Sequence, residues 1–376
     1  MRVQAAIRRL ALAALGGASL ASAGPAALPV DRFDRADYVS AIDVAQRLGL
    51  RLAWKGAGRE LALSDQQHRV ELAAESREAT VDGLRVYWGD PVEVRAGRFF
   101  LSRTDYERRL LPLVRPGSIG SVPRAPLVIA IDPGHGGIDH GTENRRLALM
   151  EKTQTLDVAM RLGRLLSEAG YRVVMTRASD TKIELPVRAL IANQAGADLF
   201  VSIHFNALKN DAKTRGTEIY TFPPRGQRST DSWANHENNR EMEAAPVNRW
   251  DPWSVVLAKS IHREVLSALR TEDRGEKLMH LAALRNLNCP GVLVESAYLS
   301  NDAEAMRVAA PAFRQQIAEA IFAGVRSYAA VLERLHAGRE SGRRGSGDSQ
   351  VKSPPAIETS GRPAAASAHP TRPAPP

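Results

Sequence analysis

The chain has 376 residues, long enough for one or two domains with a substantial apolar core, and it carries a formal net charge of +9. Most of that positive charge lies in residues 1–30 and in the segment from Gly338 onward, so the middle of the chain has no concentrated basic surface and a nucleic-acid-binding protein is disfavoured. The single cysteine, Cys289, excludes an intrachain disulfide.

Residues 1–23 have the three parts of a secretory signal. Basic residues precede an apolar run at 10–20, and the small residues at 21–23 form a cleavage site. The run is too short to span a bilayer, so we expect the signal to be removed and the mature chain to have no transmembrane segment. The predicted location is the periplasm or cell envelope, and the adjacent Arg8 and Arg9 leave both the general secretory and the twin-arginine routes open.

Residues 31–114 predict a small α+β accessory domain. Apolar residues at helical spacing over 38–50 end at a glycine, and short alternating runs typical of strands follow. These runs are residues 51–54, 60–63, 69–72, 79–83 and 99–102. With its YVS start, its LGL helix end, Trp54 and the late FFLS, the pattern resembles the copper amine oxidase N-terminal-like domain, an accessory unit of bacterial surface proteins. The resemblance implies no copper here, and we expect a binding or spacing role.

A linker rich in Pro, Gly and Ser, residues 115–126, precedes a predicted α/β domain at residues 127–336. Strand and helix patterns alternate in it, which predicts a mostly parallel sheet flanked by helices. The predicted strands are residues 127–131, 171–177, 198–204, 216–222, a segment near 281–285, and 291–299; the predicted helices are residues 151–169, 186–196, 253–270 and 311 to about 335. In such sheets ligands bind beyond the carboxyl ends of the strands.

Two segments do not fit this alternation. Residues 223–250 are polar and long for a connection, which indicates a lid or regulatory insertion. Residues 337–376 are rich in Pro, Ala, Gly and Ser with scattered charge, which predicts a disordered tail.

Four residues with metal-binding or acid–base side chains lie at strand ends, within a strand, or at a helix start. His135 follows a strand in VIAIDPGHGG, where glycines allow the backbone to approach a ligand closely. Glu151 begins the next helix, His204 ends a strand, and Glu295 interrupts an apolar strand. A glycine-rich turn can also bind phosphate, but neither GxGxxG nor GxxxxGK[ST] is present.

Each of these residues also has a structural explanation. Glu151 is compatible with a first-turn acid favoured by the helix dipole, and His204 with a hydrogen-bonded core imidazole. Glu295 could pair with Arg177 or Arg188. However, two His and a Glu form a zinc ligand set of the hydrolytic type, with one position left for water. A second Glu can then take a proton from that water and deliver it to a leaving nitrogen, so the four residues together favour a metal site.

The segments DPGHGG, EKTQTL, SIHFNA and LVESAYLSN, in this order, resemble the zinc-dependent N-acetylmuramoyl-L-alanine amidases of the bacterial cell-separation type over roughly residues 126–330. The resemblance implies Zn²⁺ held by His135, Glu151 and His204, with Glu295 as the catalytic acid and base. It also implies a reaction and a partner: hydrolysis, in peptidoglycan, of the amide that joins N-acetylmuramic acid to the L-alanine of the stem peptide.

The resemblance extends to substrate recognition. RALIAN matches the family's arginine-containing helix, so Arg188 is predicted to contact substrate or organise the site, and Asn206 is a second predicted substrate contact. Two positions depart from the family's pattern: Phe205 replaces a small residue, and SAYLSN with Tyr298 stands where the family has GFLSN. We expect these changes to affect substrate fit rather than metal binding.

Two other functions stay open at this point. One is a zinc peptidase that cuts another bond of the cell wall, and the other is a peptidoglycan-binding scaffold with an inert site. Because residues 223–250 are long and polar, and a similar blocking segment occurs in some relatives, we also predict that they cover the zinc cleft until an activator protein moves them.

Overall fold

The computed structural model of the protein describes residues 27–33, 36–55, 58–230 and 243–347. The predicted signal at residues 1–23 therefore lies outside the described residues, as does the end of the predicted tail. Within the described ranges, no helix combines the length and the apolar character needed to cross a membrane.

The accessory part forms two small antiparallel arrays of strands. Its strands are β1 Asp31–Phe33, β2 Ala36–Ser40, β3 Arg51–Lys55, β4 Glu60–Ser64, β5 Arg69–Ala73, β6 Glu78–Val81, β7 Leu84–Tyr87, β8 Glu93–Arg95 and β9 Arg98–Ser102; its helices are α1 Ala41–Leu48, α2 Arg103–Asp105 and α3 Leu111–Val114, with a π-helical turn at Tyr106–Leu110. Strands β1, β2, β9 and β8 make one sheet, and β3 to β7 pair in sequence as a meander.

The first helix is shorter than the pattern over residues 38–50 predicts. Residues 38–40 belong to β2, where they pair with β9. The helix begins at Ala41 because the Ser40 side chain accepts a hydrogen bond from the amide of Ile42. It ends where Gly49 takes a left-handed conformation with φ of 65°.

The remaining elements belong to the part of the chain that carries the four predicted site residues, which we call the catalytic part. Its strands are β10 Val128–Pro133, β11 Glu143–Asn144, β12 Leu149–Met150, β13 Arg172–Met175, β14 Leu199–Asn206, β15 Thr217–Thr221, β16 Asp273–Leu278 and β17 Gly291–Tyr298; its helices are α4 Glu151–Glu168, α5 Leu185–Gln194, α6 Asp251–Leu269, α7 Ala282–Arg285, α8 Asp302–Ala309 and α9 Pro311–Gly347. Short 3₁₀ turns lie at Pro116–Ser118, Arg145–Leu147 and Pro246–Trp250.

The order of strands in the catalytic part is β13-β10-β14-β17-β15-β16. The first four are parallel, β15 runs antiparallel to β17, and β16 is parallel to β15. Helices α4, α6 and α9 cover one face with an apolar core, and a smaller cluster that includes residues of α5 and α7 covers part of the other. The predicted α/β class, a mostly parallel sheet flanked by helices, is confirmed.

One predicted strand is wrong. Residues 282–285 are the helix α7, and the strand expected near 281–285 is instead β16 at 273–278. Hydrophobic patterning misses β16 because its sequence, DRGEKL, is polar: Glu276 and Lys277 are buried there as members of ion pairs with Arg109 and Glu218.

The predicted disordered tail begins too early. Helix α9 continues to Gly347, so residues 337–347 are helical. The extra length has polar support, because Arg339 donates to the carbonyl of Ile119 at 2.7 Å; His336, just before it, bonds the carbonyl of Pro123 at 2.7 Å. Residues 348–376 lie outside the described part of the chain.

The accessory and catalytic parts share one sheet. Strand β16 pairs with β7 through Glu276 and Val86, which joins the two parts into an eleven-stranded array. The buried guanidinium of Arg109 pairs with Glu276 across the same boundary. Arg77 also reaches over to the carbonyl of Ser229 at 3.2 Å, so the first unit is attached to the start of the insertion as well as to the sheet.

The buried Asp251 at the start of α6 makes stability depend on pH. Burial raises the pKa of Asp251 from 3.8 to about 7. The hydrogen bond that the Asn248 side chain donates to it at 3.1 Å acts in the opposite direction and lowers the pKa. Between those pH values the folded protein holds a proton that the unfolded chain has released, so stability is full below about pH 4 and falls as pH rises toward 7. We expect Asp251→Asn to stabilise the protein by about 2–4 kcal/mol at about pH 8 and to change little at about pH 4.

Urea unfolding at the two pH values measures this effect. Asp43→Asn is the matched control, since Asp43 is also an acid in a first helical turn but is only half-buried. We expect it to cost about 0.3–1 kcal/mol through the helix dipole. Equal effects of Asp251→Asn at both pH values would contradict the prediction.

Candidate metal centre

The sheet brings three of the four predicted residues to one edge. Strands β10 and β14 are parallel with Pro133 opposite Ile203, so the loop that carries His135 begins beside the end of β14. Strands β14 and β17 are also parallel, and His204 lies directly opposite Glu295. The rule that sites form at the carboxyl ends of parallel strands therefore holds for these residues.

Two imidazoles converge on one carboxylate. His135 Nε2 lies 3.1 Å from Oε1 of Glu151, and His204 Nδ1 lies 2.9 Å from the same oxygen. One ligand atom from each of the three residues lies within 4.8 Å of the others. The sequence is compatible with Glu151 as an acid in the first turn of a helix and as a metal ligand. Both interpretations fit, since Glu151 is the first residue of α4 and also part of the cluster. Two nitrogen donors and a carboxylate oxygen are a donor set that can hold a divalent metal ion.

Hydrogen bonds behind the cluster fix the orientation of the donors. His135 Nδ1 lies 2.9 Å from Asp139 Oδ1, which turns Nε2 toward Glu151. The amide of Thr142 donates to Oε2 of Glu151 at 2.8 Å, and the amide of Phe205 donates to Oε1 at 3.1 Å. His135 itself has a φ of 60°, an uncommon conformation for a residue with a side chain and one found often at functional sites.

The charges in the cluster reinforce one another. Burial opposes ionisation of His135, but hydrogen bonds and the charges of Glu151 and Asp139 outweigh it and raise the pKa of the imidazole. Burial likewise disfavours the Glu151 carboxylate, yet His135 and His204 hold its pKa well below the ordinary value. Glu151 therefore stays anionic between the two imidazoles, and its negative charge favours a bound cation.

Two buried arginines hold the loop that carries His135. Arg188 pairs with Asp132 at 2.7 Å and donates to the carbonyls of Pro133 and His135 at 2.8 and 3.0 Å. Arg177 donates to the carbonyl of Gly134 at 2.7 Å. Because the Arg188 side chain is only 2% exposed, the structure favours the organising role over the predicted substrate contact.

Glu295 is half-buried, and its Oε2 atom is shielded from solvent without a compensating partner in the described part of the chain. In the described part of the chain its Oε2 has no hydrogen-bond partner, and no ion pair joins it to Arg177 or Arg188. Burial and the nearby charges of Glu151 and Glu218 raise its pKa well above the ordinary value, while Lys277 opposes the shift. A carboxyl group that is left unpaired beside a candidate metal cluster is suited to carry a proton.

Phe205 and Asn206, the two residues that follow His204, make their contacts within the protein. The Asn206 amide donates to Glu218, and its oxygen accepts from the amide of Ala207 at 2.6 Å, so both ends of the predicted substrate contact are engaged within the protein. Phe205 is 1% exposed and packs in the main core, so this departure from the family pattern changes the core rather than the cleft.

Sequence reasoning missed Asp139 and Glu218. Glu218 has the signal that identified Glu295, since GTEIYTF places a carboxylate in a mostly apolar strand. Such a residue requires a partner when buried. Asp139 has no comparable signal, because an acid in a polar loop is common.

The close approach of Gly134 to His204 gives a testable prediction. A Cβ at Gly134 would lie 2.3 Å from Cε1 of the His204 ring, so we expect Gly134→Ala to displace that ring. The metal affinity of the Gly134→Ala variant should fall by about 10- to 100-fold, which is the usual loss when a group that orients a metal ligand is removed. Gly120→Ala is the matched control, because a Cβ there meets nothing within 4 Å. Zinc titration against a chromophoric chelator measures both, and equal affinities would refute the contact.

Two family models match the chain. The family model described as N-acetylmuramoyl-L-alanine amidase matches residues 129–327, just over half of the chain, and the copper amine oxidase N-terminal domain model matches residues 29–108. Both ranges agree with the resemblances drawn from the motifs.

Individual relatives match over the catalytic part. The chain is 31% identical to an uncharacterized cell wall amidase of Bacillus anthracis, over 53% of this chain and 35% of the relative. It is 31% identical to the N-acetylmuramoyl-L-alanine amidase AmiA of Escherichia coli K12, over 54% of this chain and 75% of the relative. The solved N-acetylmuramoyl-L-alanine amidase of Clostridium difficile 630 is 33% identical, with 54% of this chain and 97% of that structure covered and a TM-score of 0.45.

Proposed function

Since this chain belongs to the N-acetylmuramoyl-L-alanine amidase family, we propose that it hydrolyses the amide between N-acetylmuramic acid and the L-alanine of the stem peptide in peptidoglycan. The observation that carries the proposal is the convergence of His135, Glu151 and His204 beside the unpaired carboxyl group of Glu295, all within the matched residues. We further propose that the metal is zinc, which favours imidazole and carboxylate donors.

Each residue has a defined part in this reaction. His135, Glu151 and His204 would hold the zinc ion. When bound, zinc supplies a Lewis acid that polarises the amide carbonyl and makes water nucleophilic near neutral pH. Glu295 takes the proton of the attacking water and transfers it to the amide nitrogen, which then leaves as the free amino group of L-alanine.

Digestion of purified peptidoglycan tests the proposal. The zinc-loaded protein should release free stem peptides whose new amino terminus is L-alanine, and removal of zinc by a chelator should stop the release. If the products keep the bond from muramic acid to L-alanine but carry a new peptide end, the chain is the alternative, a peptidase of another wall bond. If the chain binds peptidoglycan and yields no product, it is the inert scaffold.

We also propose that the chain acts in the cell envelope after export. The arginines and apolar run of residues 1–23 support this location. Detection of the mature amino terminus in an envelope fraction, by mass spectrometry of the native protein, tests it. A chain that keeps its first residues and stays with the cytoplasmic fraction would contradict it.

Control of the site by an activator protein is part of the same proposal. The described flanks of the insertion pack on the side of the sheet that carries His204, because Phe222 and Val247 share an apolar cluster with Phe200, which is on the same face of β14. Deletion of residues 231–242 keeps these buried flanks. The deletion should raise turnover on whole peptidoglycan in the absence of any other protein, and unchanged turnover would refute this control.

A further inference from the structure

We propose that Glu218 is a positioning residue that sets the relative placement of His204 and Glu295. This inference deepens the proposed function and rests on it. Glu218 lies on β15, directly opposite Glu295 of β17 in the antiparallel pair, and its side chain is fully buried. It is outside the group of three residues that can hold a metal.

The first observation is a bulge next to the site. His204 is opposite Glu295, but two residues later Asn206 is opposite Tyr298, so β17 contains one extra residue between these pairs. A bulge bends its strand and re-aims the neighbouring side chains. The direction of Glu295 therefore depends on what holds the two strands together beyond the bulge.

The second observation is that one oxygen atom holds both strands there. Oε1 of Glu218 accepts a hydrogen bond from Nδ2 of Asn206 on β14. The same atom accepts a hydrogen bond from the hydroxyl of Tyr298 on β17 at 2.7 Å. Glu218 thus ties the ends of the His204 strand and the Glu295 strand to a third strand.

Charge pairing keeps this carboxylate in place. Lys277 of β16 lies 2.6 Å from Oε2 of Glu218. Arg274 donates to the hydroxyl of Tyr298 at 3.0 Å, and its guanidinium lies 5.3 Å from the centre of that ring. Tyr298 accepts from Arg274 and donates to Glu218, so the direction of its hydroxyl is fixed. A buried carboxylate costs several kcal/mol without such partners, so the ion pair with Lys277 and the two hydrogen bonds to Oε1 offset the cost of burying Glu218.

These contacts exclude a direct catalytic role for Glu218. One oxygen accepts two hydrogen bonds and the other is paired with an ammonium group, so neither is turned toward a reacting atom. The network also explains Tyr298, the residue of SAYLSN that departs from the family pattern. In this chain it supplies the hydroxyl that holds β17 beyond the bulge.

Three variants test the proposal, with zinc affinity and steady-state kinetics as separate readouts. We expect Glu218→Ala to lower zinc affinity and kcat by about 10- to 100-fold with KM nearly unchanged. Glu218→Gln keeps an acceptor oxygen and should recover part of both losses. Tyr298→Phe removes one hydroxyl and should lower kcat less than Glu218→Ala does.

The control is Glu276→Gln. Glu276 is also a buried carboxylate, but it lies on the neighbouring strand β16 and is paired with Arg109 of the accessory part. It should lower the melting temperature while zinc affinity and kcat stay within about twofold. If a folded Glu218→Ala, or Tyr298→Phe where Glu218→Ala does not fold, matches the wild type in zinc affinity and kcat, the positioning role is refuted. An inactive wild type that binds zinc would refute the proposed reaction, while the affinity measurements would still decide the role of Glu218.

Discussion

Replacing Glu295 by Gln is expected to lower kcat by about 100- to 10,000-fold, the usual contribution of a positioned acid and base. The change removes the group that accepts and returns the proton, but it keeps nearly the same shape. Since the amide is neutral, it also removes the cost of a carboxyl group whose Oε2 has no partner in the described part of the chain. Stability should therefore be equal or slightly higher, and zinc affinity should stay within about threefold.

The control for this variant is Glu143→Gln. Glu143 also lies near the cleft and bonds His140 at 2.8 Å, but it is more exposed and has no contact with the three candidate ligands. It should keep nearly full activity. Stem-peptide release, equilibrium unfolding and zinc titration are measured on both variants. Activity of Glu295→Gln within tenfold of the wild type would show that another group moves the proton.

The metal cluster could be predicted because the chemistry and the topology impose separate conditions on the same residues. A histidine after a buried strand, another at the end of a parallel strand, and a glutamate at the next helix start must meet at one sheet edge. Burial also makes a lone carboxylate such as Glu295 conspicuous, because it costs free energy without a partner. These signals are local to each segment and need no knowledge of packing.

The positioning network could not be predicted for the opposite reason. Glu218, Lys277 and Tyr298 come from three strands, and nothing in their own segments says which atoms they face. Strand β16 could not be predicted from the sequence either, since DRGEKL places charged residues in a buried strand where ion pairs compensate them. The role of Arg188 could not be predicted either, because the sequence is compatible with both a substrate contact and an organiser of the site. Its buried contacts with Asp132 and the loop carbonyls favour the organiser.

Arg188→Leu should destabilise the protein by about 3–5 kcal/mol, because removing one partner of a buried ion pair leaves the other charge uncompensated. Asp132 is fully buried and would keep only the hydroxyls of Thr176 and Ser202, at 2.5 and 2.6 Å. The double variant Asp132→Asn with Arg188→Leu removes the remaining charge and should recover part of the stability. Equilibrium unfolding of the wild type, both single variants and the double variant measures the coupling.

Zinc affinity should fall together with stability in Arg188→Leu, since the same guanidinium donates to the carbonyls of Pro133 and His135 and so orients the first ligand. Arg188→Lys keeps the charge but cannot make all three contacts, so we expect it to lie between the wild type and Arg188→Leu in both quantities. A substrate contact would behave differently: KM would rise while stability and zinc affinity stayed at wild-type values. That result would overturn the organising role, because a side chain buried behind the loop can affect substrate only through the loop itself.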